Sequence, residues 1–292
     1  MGSHLDKYLI PRLGDVLLEQ LTERRVQEFV ADLSRAEYVV PNKKKTRKKL
    51  SPKSVRNIVG VLKLVLGKKV WRDWSIVLPE IPRKEQRYFT EDEMRRIIEG
   101  SRGQWRVLFA TLALTGLRAG EAFGLHVEDV DLEAGGITVR RSVWNGEEVT
   151  PKTKAGYRVV HIDAVLSDLL KEHLNGRRGG RLFQTRTGTP LSKGNVRRKL
   201  HETLRALGIP RGGLHAFRHG RVSGLQSRGV PSDLVKEWVG HSSLHTTSRY
   251  THFGDDYKRR IASSLSLRTE EELRDGPHGP PFQEPEGLSE SR

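Results

Sequence analysis

The chain has 292 residues, long for one average domain, which favours two domains with additional tails. Hydrophobic residues make up 35% and charged residues 30%, enough for packed cores beneath a heavily solvated surface. The formal net charge of +16 attracts phosphate polyanions, although a ribosomal-type or merely soluble basic protein would carry the same excess. The absence of cysteine excludes disulfides, thiolate zinc sites and a cysteine nucleophile.

The two ends of the chain and its hydropathy set the limits of the predicted fold. Residues 1–4, Met1-Gly2-Ser3-His4, resemble an expression-tag remnant and are left out of the prediction, so the natural protein would extend upstream of Leu5. No apolar run approaches the roughly 20 residues that a membrane span requires. No signal-peptide pattern is present either, so we expect a cytoplasmic protein without a membrane partner.

Residues 5–78 predict a helical, basic domain. Thr22 is the expected N-cap of one helix, and Ser51-Pro52 begins another, with proline at its first position. The first helix buries an apolar face of Val26, Phe29, Val30 and Leu33. The second has a face of Val55, Ile58, Val59, Leu62, Val65 and Leu66. Between them lies the predicted DNA-binding run of Lys43, Lys44, Lys45, Arg47, Lys48 and Lys49.

A charged, proline-punctuated stretch at 79–87 predicts a linker to a larger domain at 88–267. That domain begins with a helix in which Thr90 and Glu93 form a capping box and Met94, Ile97 and Ile98 form the apolar side. An apolar helix from Val107 to Leu114 then ends at Thr115-Gly116.

The apolar period then changes from helical to alternating. Strand residues 136–139 and 143–144 precede Asn145-Gly146, a frequent hairpin turn, and residues 148–150 follow it. Residues 157–162 form a third strand. These segments predict one three-stranded antiparallel sheet in a mainly helical (α+β) domain. Helices resume from Val165 to about Leu267, and the composition of the acidic Pro/Gly-containing tail at 268–292 predicts disorder.

The segment Thr115-Gly116-Leu117-Arg118-Ala119-Gly120-Glu121 is the first candidate for chemistry. We expect Arg118 in the first turn of a new helix, where a cation is unfavourable unless an anion lies nearby. Glu121, three residues later, could hold the guanidinium by an ion pair. An ordinary surface salt bridge is the alternative.

The segment Leu214-His215-Ala216-Phe217-Arg218-His219 is the second candidate. Helical spacing places His215, Arg218 and His219 along one face, where imidazole and guanidinium can bind a phosphate and transfer a proton. His215 and His219 at i and i+4 could instead bind a metal, but the segment supplies neither a cysteine nor an obvious carboxylate as a further ligand, and we predict none.

Two further segments contain polar groups of possible function. Gly240 is expected to end a helix and leave His241 at the start of the next segment, ahead of Tyr250. Tyr250 lies among polar residues, and a half-buried structural tyrosine is the alternative. Lys152 and Lys154 lie between the second and third strands, where a lysine either remains solvated or reaches a phosphate and donates a proton.

Taken together, these segments resemble the tyrosine recombinases, the phage integrase and Xer-type family, from about Tyr88 to Arg260. The matching order is Arg118, Glu121, Lys152, Lys154, His215, Arg218, His241, Arg249 and Tyr250. The resemblance implies a helical core-binding domain and a catalytic domain that form a C-shaped clamp on DNA. The part of the core-binding domain at 5–78 is incomplete, and no arm-binding domain is recognisable.

The resemblance also implies site-specific DNA recombination, with Tyr250 as the nucleophile that forms a 3′-phosphotyrosine and releases a 5′ hydroxyl. Arg118 and Arg218 would bind the nonbridging oxygens, His215 would assist proton removal and His241 would hydrogen-bond the phosphate. Lys152, with Lys154 as the alternative, would protonate the leaving oxygen, and Glu121 would support the site. The phosphoester energy is conserved, so no cofactor is expected.

The expected partners are double-stranded DNA and further copies of the chain, monomeric when free and tetrameric in the synaptic complex. Tyr257, Ile261 and Leu265 give a terminal helix a narrow apolar face, which packs either on its own domain or on a neighbouring protomer. A type IB topoisomerase-like enzyme is the alternative function. A catalytically silent DNA-binding protein and a zinc hydrolase are the other hypotheses. The expected location is the cytoplasm, at the nucleoid.

Overall fold

The computed structural model describes residues 4–40, 43–82, 86–150 and 157–240, and at 39–40 and 43–46 it describes the backbone alone. The chain divides into two compact units, with the boundary between Glu85 and Gln86. Both units are mainly helical, and each contains short antiparallel strands. This architecture confirms the predicted fold class, mainly α with a small amount of antiparallel β structure.

The first unit is built on two helices, α2 and α3. It opens with a π-helical turn, Leu5–Leu9, and the short helix α1, Ile10–Leu13. After a 3-10 turn at Leu18–Gln20 come α2, Glu23–Arg35, and α3, Pro52–Trp71. The hydroxyls of Thr22 and Ser51 accept the backbone N–H groups of Arg25 and Ser54, which confirms both predicted N-caps.

The apolar faces of α2 and α3 form the core of this unit. All four apolar residues predicted for α2 are buried, and so are four of those predicted for α3: Val26, Phe29, Val30, Leu33, Val55, Ile58, Val59 and Leu62. Leu66 packs against the edge of the same core. The prediction was wrong for Val65, which is 63% exposed and lies in the last turn before Gly67, where a φ of 77° interrupts the helical geometry of α3.

The connection between α2 and α3 is a β-hairpin, which the sequence analysis did not predict. Strand β1, Glu37–Val40, pairs antiparallel with β2, Lys43–Lys49. Glu37 lies opposite Lys49 in the register, and Tyr38 opposite Lys48. Aromatic and β-branched residues in β1 and an opposite-charge pair across the ladder favour strand pairing, and they outweigh the helical pattern on either side.

The second unit contains the remaining described helices. They are α4, Glu91–Glu99; α5, Gln104–Thr115; α6, Ala119–Phe123; α7, Ala164–Leu174; α8, Lys193–Ala206; α9, His215–Ser227; and α10, Ser232–Val239. The predicted capping box of Thr90 and Glu93 is present at α4, and Gly116 ends α5 in the left-handed conformation. Both boundaries confirm the predictions.

Helix α5 lies at the centre of this unit because it is apolar all round. Eight of its residues are buried: Val107, Leu108, Phe109, Ala110, Thr111, Leu112, Ala113 and Thr115. It contacts α4, α6, α7 and α9. A helix without a polar stripe belongs in a core, and its end at Gly116 is therefore fixed within the unit. This fixed end is where the candidate site begins.

The strands of the second unit differ from the predicted single sheet. Strand β3, Val130–Asp131, pairs with β4, Gly136–Val139, and β4 pairs with β7, Arg158–His161. Strands β5, Ser142–Trp144, and β6, Glu147–Val149, form a separate ribbon. Asn145 and Gly146 have positive φ values of 51° and 87°, as the predicted hairpin turn requires.

The predicted first strand is divided because Arg140 and Arg141 turn towards a buried carboxylate. Their guanidinium groups lie 3.5 and 3.3 Å from Asp129. The ribbon that follows crosses α6, where Gly120 and Gly124 leave space for the backbone of β5 and its approach. Among the helices of the described residues, none is long and apolar enough to cross a membrane.

Candidate active site

Arg118 lies immediately before α6 and is held by Glu121. It occupies the N-cap position, one residue earlier than predicted, because Glu121 accepts its backbone N–H at 2.8 Å. The same carboxylate binds Arg118 Nη1 at 2.8 Å, and Arg118 Nη2 donates to the carbonyl oxygen of Gly240 at 2.8 Å. The Arg118 side chain is 44% exposed and that of Glu121 is 7% exposed. The pair is therefore a half-buried clamp rather than a surface salt bridge.

Arg218 approaches the same place from α9. It is 1% exposed, and its Nη1 donates to the carbonyl oxygen of Gly116 at 2.8 Å. Gly116 ends α5 only two residues before Arg118. The structure thus brings the two arginines to one turn of the chain, between α5 and α6. Two fixed guanidinium groups are a suitable receptor for a phosphate group.

The histidines of α9 are electrically neutral at neutral pH. Loss of surrounding water, followed by the charges of Arg218 and Arg118, lowers the pKa of His215 to about 4. Burial, with His215 and Arg218 close by, lowers the pKa of His219 to about 4 as well. The two rings meet edge to face, with centroids 4.5 Å apart. A neutral imidazole at His215 can accept a proton.

A metal site at these histidines finds no support in the described part of the chain. Two histidines need at least one further ligand, and no group of three or more His, Asp or Glu side chains there is placed to hold a metal ion. Arg118 and Arg218 also act on His215 as neighbouring positive charges. These charges favour an anion at this position over a cation.

Arg158, the first residue of β7, belongs to this group although the sequence analysis gave it no role. Its Nη2 lies 2.9 Å from Glu121 Oε2, and its Nε donates to the carbonyl oxygen of Trp238 at 2.9 Å. Burial by itself would raise the pKa of Glu121, but the hydrogen bond and charge of Arg158 and the charge of Arg118 hold it below its ordinary value. Glu121 is therefore an anion between two cations.

Strand periodicity could have identified Arg158. Val160 is fully buried, and residues two apart on a strand point to the same side. Arg158 is therefore on the buried side of β7, whereas Val159 is 54% exposed. A buried charge requires a partner, and this requirement is the signal that the sequence analysis did not use.

The other predicted site residues are placed as follows. Lys152, Lys154, His241 and Tyr250 lie outside the described residues, as do the helix predicted around Tyr257 and the tail at 268–292. Gly240 ends α10 with a left-handed φ of 70°, as expected, so the described chain stops one residue before His241. In the first unit, Arg47, Lys48 and Lys49 are exposed on β2, and the side chains of Lys43, Lys44 and Lys45 are not described.

The arrangement therefore provides two guanidinium groups for an anion, a neutral imidazole for a proton and a buried carboxylate that holds the first arginine. This set fits a phosphodiester that gains charge during reaction. The sequence model of the Phage integrase family matches residues 87–256, more than half of the chain. The chain belongs to the phage integrase family.

Two proteins, a recombinase and an integrase, are similar to this chain in sequence. The tyrosine recombinase XerC-like protein of Caldanaerobacter subterraneus subsp. tengcongensis is 30% identical over 226 residues, which cover 66% of this chain and 58% of that protein. The ICEBs1 integrase of Bacillus subtilis is 27% identical, covering 91% of this chain and 75% of that protein. This integrase-family chain thus spans less than two thirds of the XerC-like relative.

Solved structures share the fold. The Tn1549 transposon integrase in complex with transposon right end DNA superposes with a TM-score of 0.70 at 19% identity. The match covers 90% of this chain and 91% of that one. At this identity the likeness concerns the fold alone, and it extends over both units of the integrase-family chain.

Proposed function

We propose that this chain is a site-specific DNA recombinase that cuts and rejoins strands by transesterification through Tyr250. The observation that supports this proposal most strongly is that Arg118 and Arg218 come together at the turn between α5 and α6, beside a neutral His215. Family membership supports the proposal, because the matched segment extends to residue 256 and so includes Tyr250.

In the proposed reaction, the phenol oxygen of Tyr250 attacks a backbone phosphorus atom and the bond to the 5′ oxygen breaks. His215 is neutral and can take up the phenol proton, directly or through water. Arg118 and Arg218 stabilise the charge on the nonbridging oxygens of the five-coordinate transition state. Lys152, or Lys154 as the alternative, gives a proton to the leaving 5′ oxygen. The reverse steps rejoin the strand, and no cofactor takes part.

The proposed partner is double-stranded DNA, and the proposed location is the nucleoid in the cytoplasm. Residues 5–78 would form the core-binding domain, 79–87 the linker and 88–267 the catalytic domain. Arg47, Lys48 and Lys49 are exposed on β2, and together with Lys43, Lys44 and Lys45 they would contact DNA phosphates. Exchange of strands between two sites would require a tetramer, assembled through the helix that carries Tyr257, Ile261 and Leu265.

The experiment is the capture of covalent complexes on fragmented genomic DNA from the source organism. The protein is denatured in detergent, digested to a peptide, and the DNA ends that carry it are sequenced. We expect 3′-linked peptides clustered at one or a few sequences, and joined products between two such sites. Adducts scattered over all sequences, with no joined products and with relaxation of a supercoiled plasmid in a parallel assay, would instead indicate a topoisomerase-like activity.

A further inference from the structure

Arg158 is a buried charge that the proposed reaction does not use. Its side chain is 7% exposed and donates to Glu121 and to the Trp238 carbonyl oxygen, whereas the Arg118 side chain is 44% exposed. A buried guanidinium persists in a protein only where its donors are satisfied by fixed partners. Those partners indicate what Arg158 does.

The first partner is Glu121. Arg158 Nη2 donates to Glu121 Oε2 at 2.9 Å, and Nη1 lies 3.4 Å from Oε1. This is a two-pronged pair in which both side chains are 7% exposed. Glu121 Oε1 also receives Arg118 Nη1 at 2.8 Å. The two arginines therefore share one carboxylate, and Arg158 links it to β7.

The second partner is the end of α10. Arg158 Nε donates to the carbonyl oxygen of Trp238 at 2.9 Å, and Arg118 Nη2 donates to that of Gly240 at 2.8 Å. The last carbonyl groups of a helix lack partners within the helix, and they attract cations. The two arginines thus hold the last turn of α10, directly before His241 in the sequence.

Gly240 is suited to this contact in two ways. Its φ of 70° is the left-handed conformation that glycine adopts without strain. A Cβ atom there would lie 2.7 Å from Nη1 and 2.8 Å from Cζ of Arg158. The guanidinium group therefore occupies the space that any other residue at 240 would fill. The end of α10 and the Arg158 guanidinium therefore pack closely together.

We propose that Arg158 is a positioning residue for DNA cleavage, which sets the Arg118 guanidinium through Glu121 and fixes the end of α10 that leads to His241. This inference rests on the proposed recombinase function. Arg158 itself does not touch DNA. Without the two bonds from Arg158, Glu121 keeps, among the described residues, only its bonds to Arg118, so the carboxylate and the Arg118 guanidinium can shift together away from the phosphate.

The test compares Arg158→Lys with wild type on a nicked suicide substrate built from a captured target site. Lysine keeps the charge but not the fork, so it cannot bind both carboxylate oxygens and the Trp238 carbonyl together. We expect the rate of adduct formation to fall about 10- to 100-fold while the Kd for DNA changes less than about twofold. An unchanged cleavage rate would overturn the inference.

A methylphosphonate at the scissile position separates positioning from general stability. Its methyl group removes the nonbridging charge that Arg118 neutralises, so the Arg118→Ala variant should lose less activity on it than on the natural phosphate. If Arg158 acts through Arg118, the Arg158→Lys defect should shrink to within about threefold of wild type. A defect equally large on both substrates would show a merely structural role.

Arg141→Lys is the matched control, since Arg141 also pairs with a buried carboxylate, Asp129, at 3.3 Å. Its loss in free energy of unfolding should resemble that of Arg158→Lys, but its cleavage rate should not depend on the charge of the scissile phosphate.

Gly240→Ala provides a second variant if Arg158→Lys does not fold, because the added methyl group displaces the guanidinium of an intact Arg158. Cleavage by Gly240→Ala at the wild-type rate would overturn the inference. Failure of wild type itself to form an adduct would refute the proposed function instead.

Discussion

Burial, together with the charge of Arg218, determines the protonation of the imidazoles of His215 and His219. His215 and His219 lie on the first turns of α9, and the pKa of each is about 4 where the ordinary value is 6.5. Both rings are thus neutral over the range in which free histidine titrates. For His215 this state suits the proposed reaction, because a protonated ring could not accept the phenol proton of Tyr250.

A first prediction concerns stability against pH. Between pH 6.5 and 4 the unfolded chain binds protons at these histidines that the native state does not, so the free energy of unfolding falls as the pH falls. For the buried His219 we expect a loss on the order of 1 to 2 kcal/mol between pH 6.5 and 5, absent from His219→Gln. Urea denaturation of both proteins at several pH values measures it. Parallel stability curves for the two would contradict the low pKa.

At this scale the sequence indicated the residues but not their partners. Arg118, Glu121, His215 and Arg218 were predicted from their spacing and order. The Arg158 contact joins residues 37 positions apart with a helix end 80 positions away, and no local pattern reports such contacts. Arg118 also proved to be the N-cap residue, because the Glu121 carboxylate takes its backbone N–H.

At the scale of elements, the position of α9 depends on one close approach. Gly220 lies against the backbone of residue 89, where a Cβ atom would come within 2.0 Å of the Phe89 carbonyl oxygen. The N–H of Phe89 donates to the carbonyl oxygen of Ala216 at 3.1 Å. This contact fixes the helix that carries His215 and Arg218.

A second prediction follows for Gly220→Ala. The added methyl group must displace α9 or residue 89, and we expect a loss of about 2 kcal/mol or more in the free energy of unfolding. Gly60→Ala is the control, since Gly60 is an exposed helical position with nothing within 4 Å of a Cβ atom. The control should be neutral or slightly stabilising. Equal denaturation midpoints for the two variants would disprove the close contact.

The third prediction concerns the basic strand β2. Replacing Arg47, Lys48 and Lys49 by glutamine should weaken DNA binding and lower the slope of log Kd against log salt by about 0.9 per lost phosphate contact. Arg24→Gln with Arg72→Gln is the control, because these arginines are paired with Glu28 and Asp73. The same slope in the triple variant and wild type would exclude β2 from the interface.

The β1–β2 hairpin and the division of the predicted sheet into two show which elements could not be predicted from the sequence. Caps, apolar faces and the Asn145-Gly146 turn are local and were predicted correctly. Pairing of β4 with β3 and β7 is not local, and neither are the ion pairs of Arg140 and Arg141 with Asp129 at the point where β4 and β5 separate. Likewise, β1 is a strand because it pairs with β2, although the segments before and after this hairpin are helices.

For the whole molecule, the proposed recombination consists of two separate steps, DNA cleavage and the synapsis of two sites. The fourth prediction is that a protein ending at Arg260 still forms an adduct on a suicide half-site but no longer joins two sites. Ile261 and Leu265, which the truncation removes, are part of the apolar face proposed to contact a neighbouring protomer. Sedimentation of the DNA complex and gel analysis of joined products measure both steps. Recombination at the wild-type level would contradict the proposed assembly.

The most direct test of the central claim is covalent adduct formation by Tyr250→Phe. Phenylalanine removes only the phenol oxygen, so the variant should fold and bind DNA as wild type does. After incubation with the suicide half-site and denaturing electrophoresis, we expect a protein–DNA adduct for wild type and none for Tyr250→Phe. An adduct formed by Tyr250→Phe would contradict the claim that this chain cuts DNA through Tyr250.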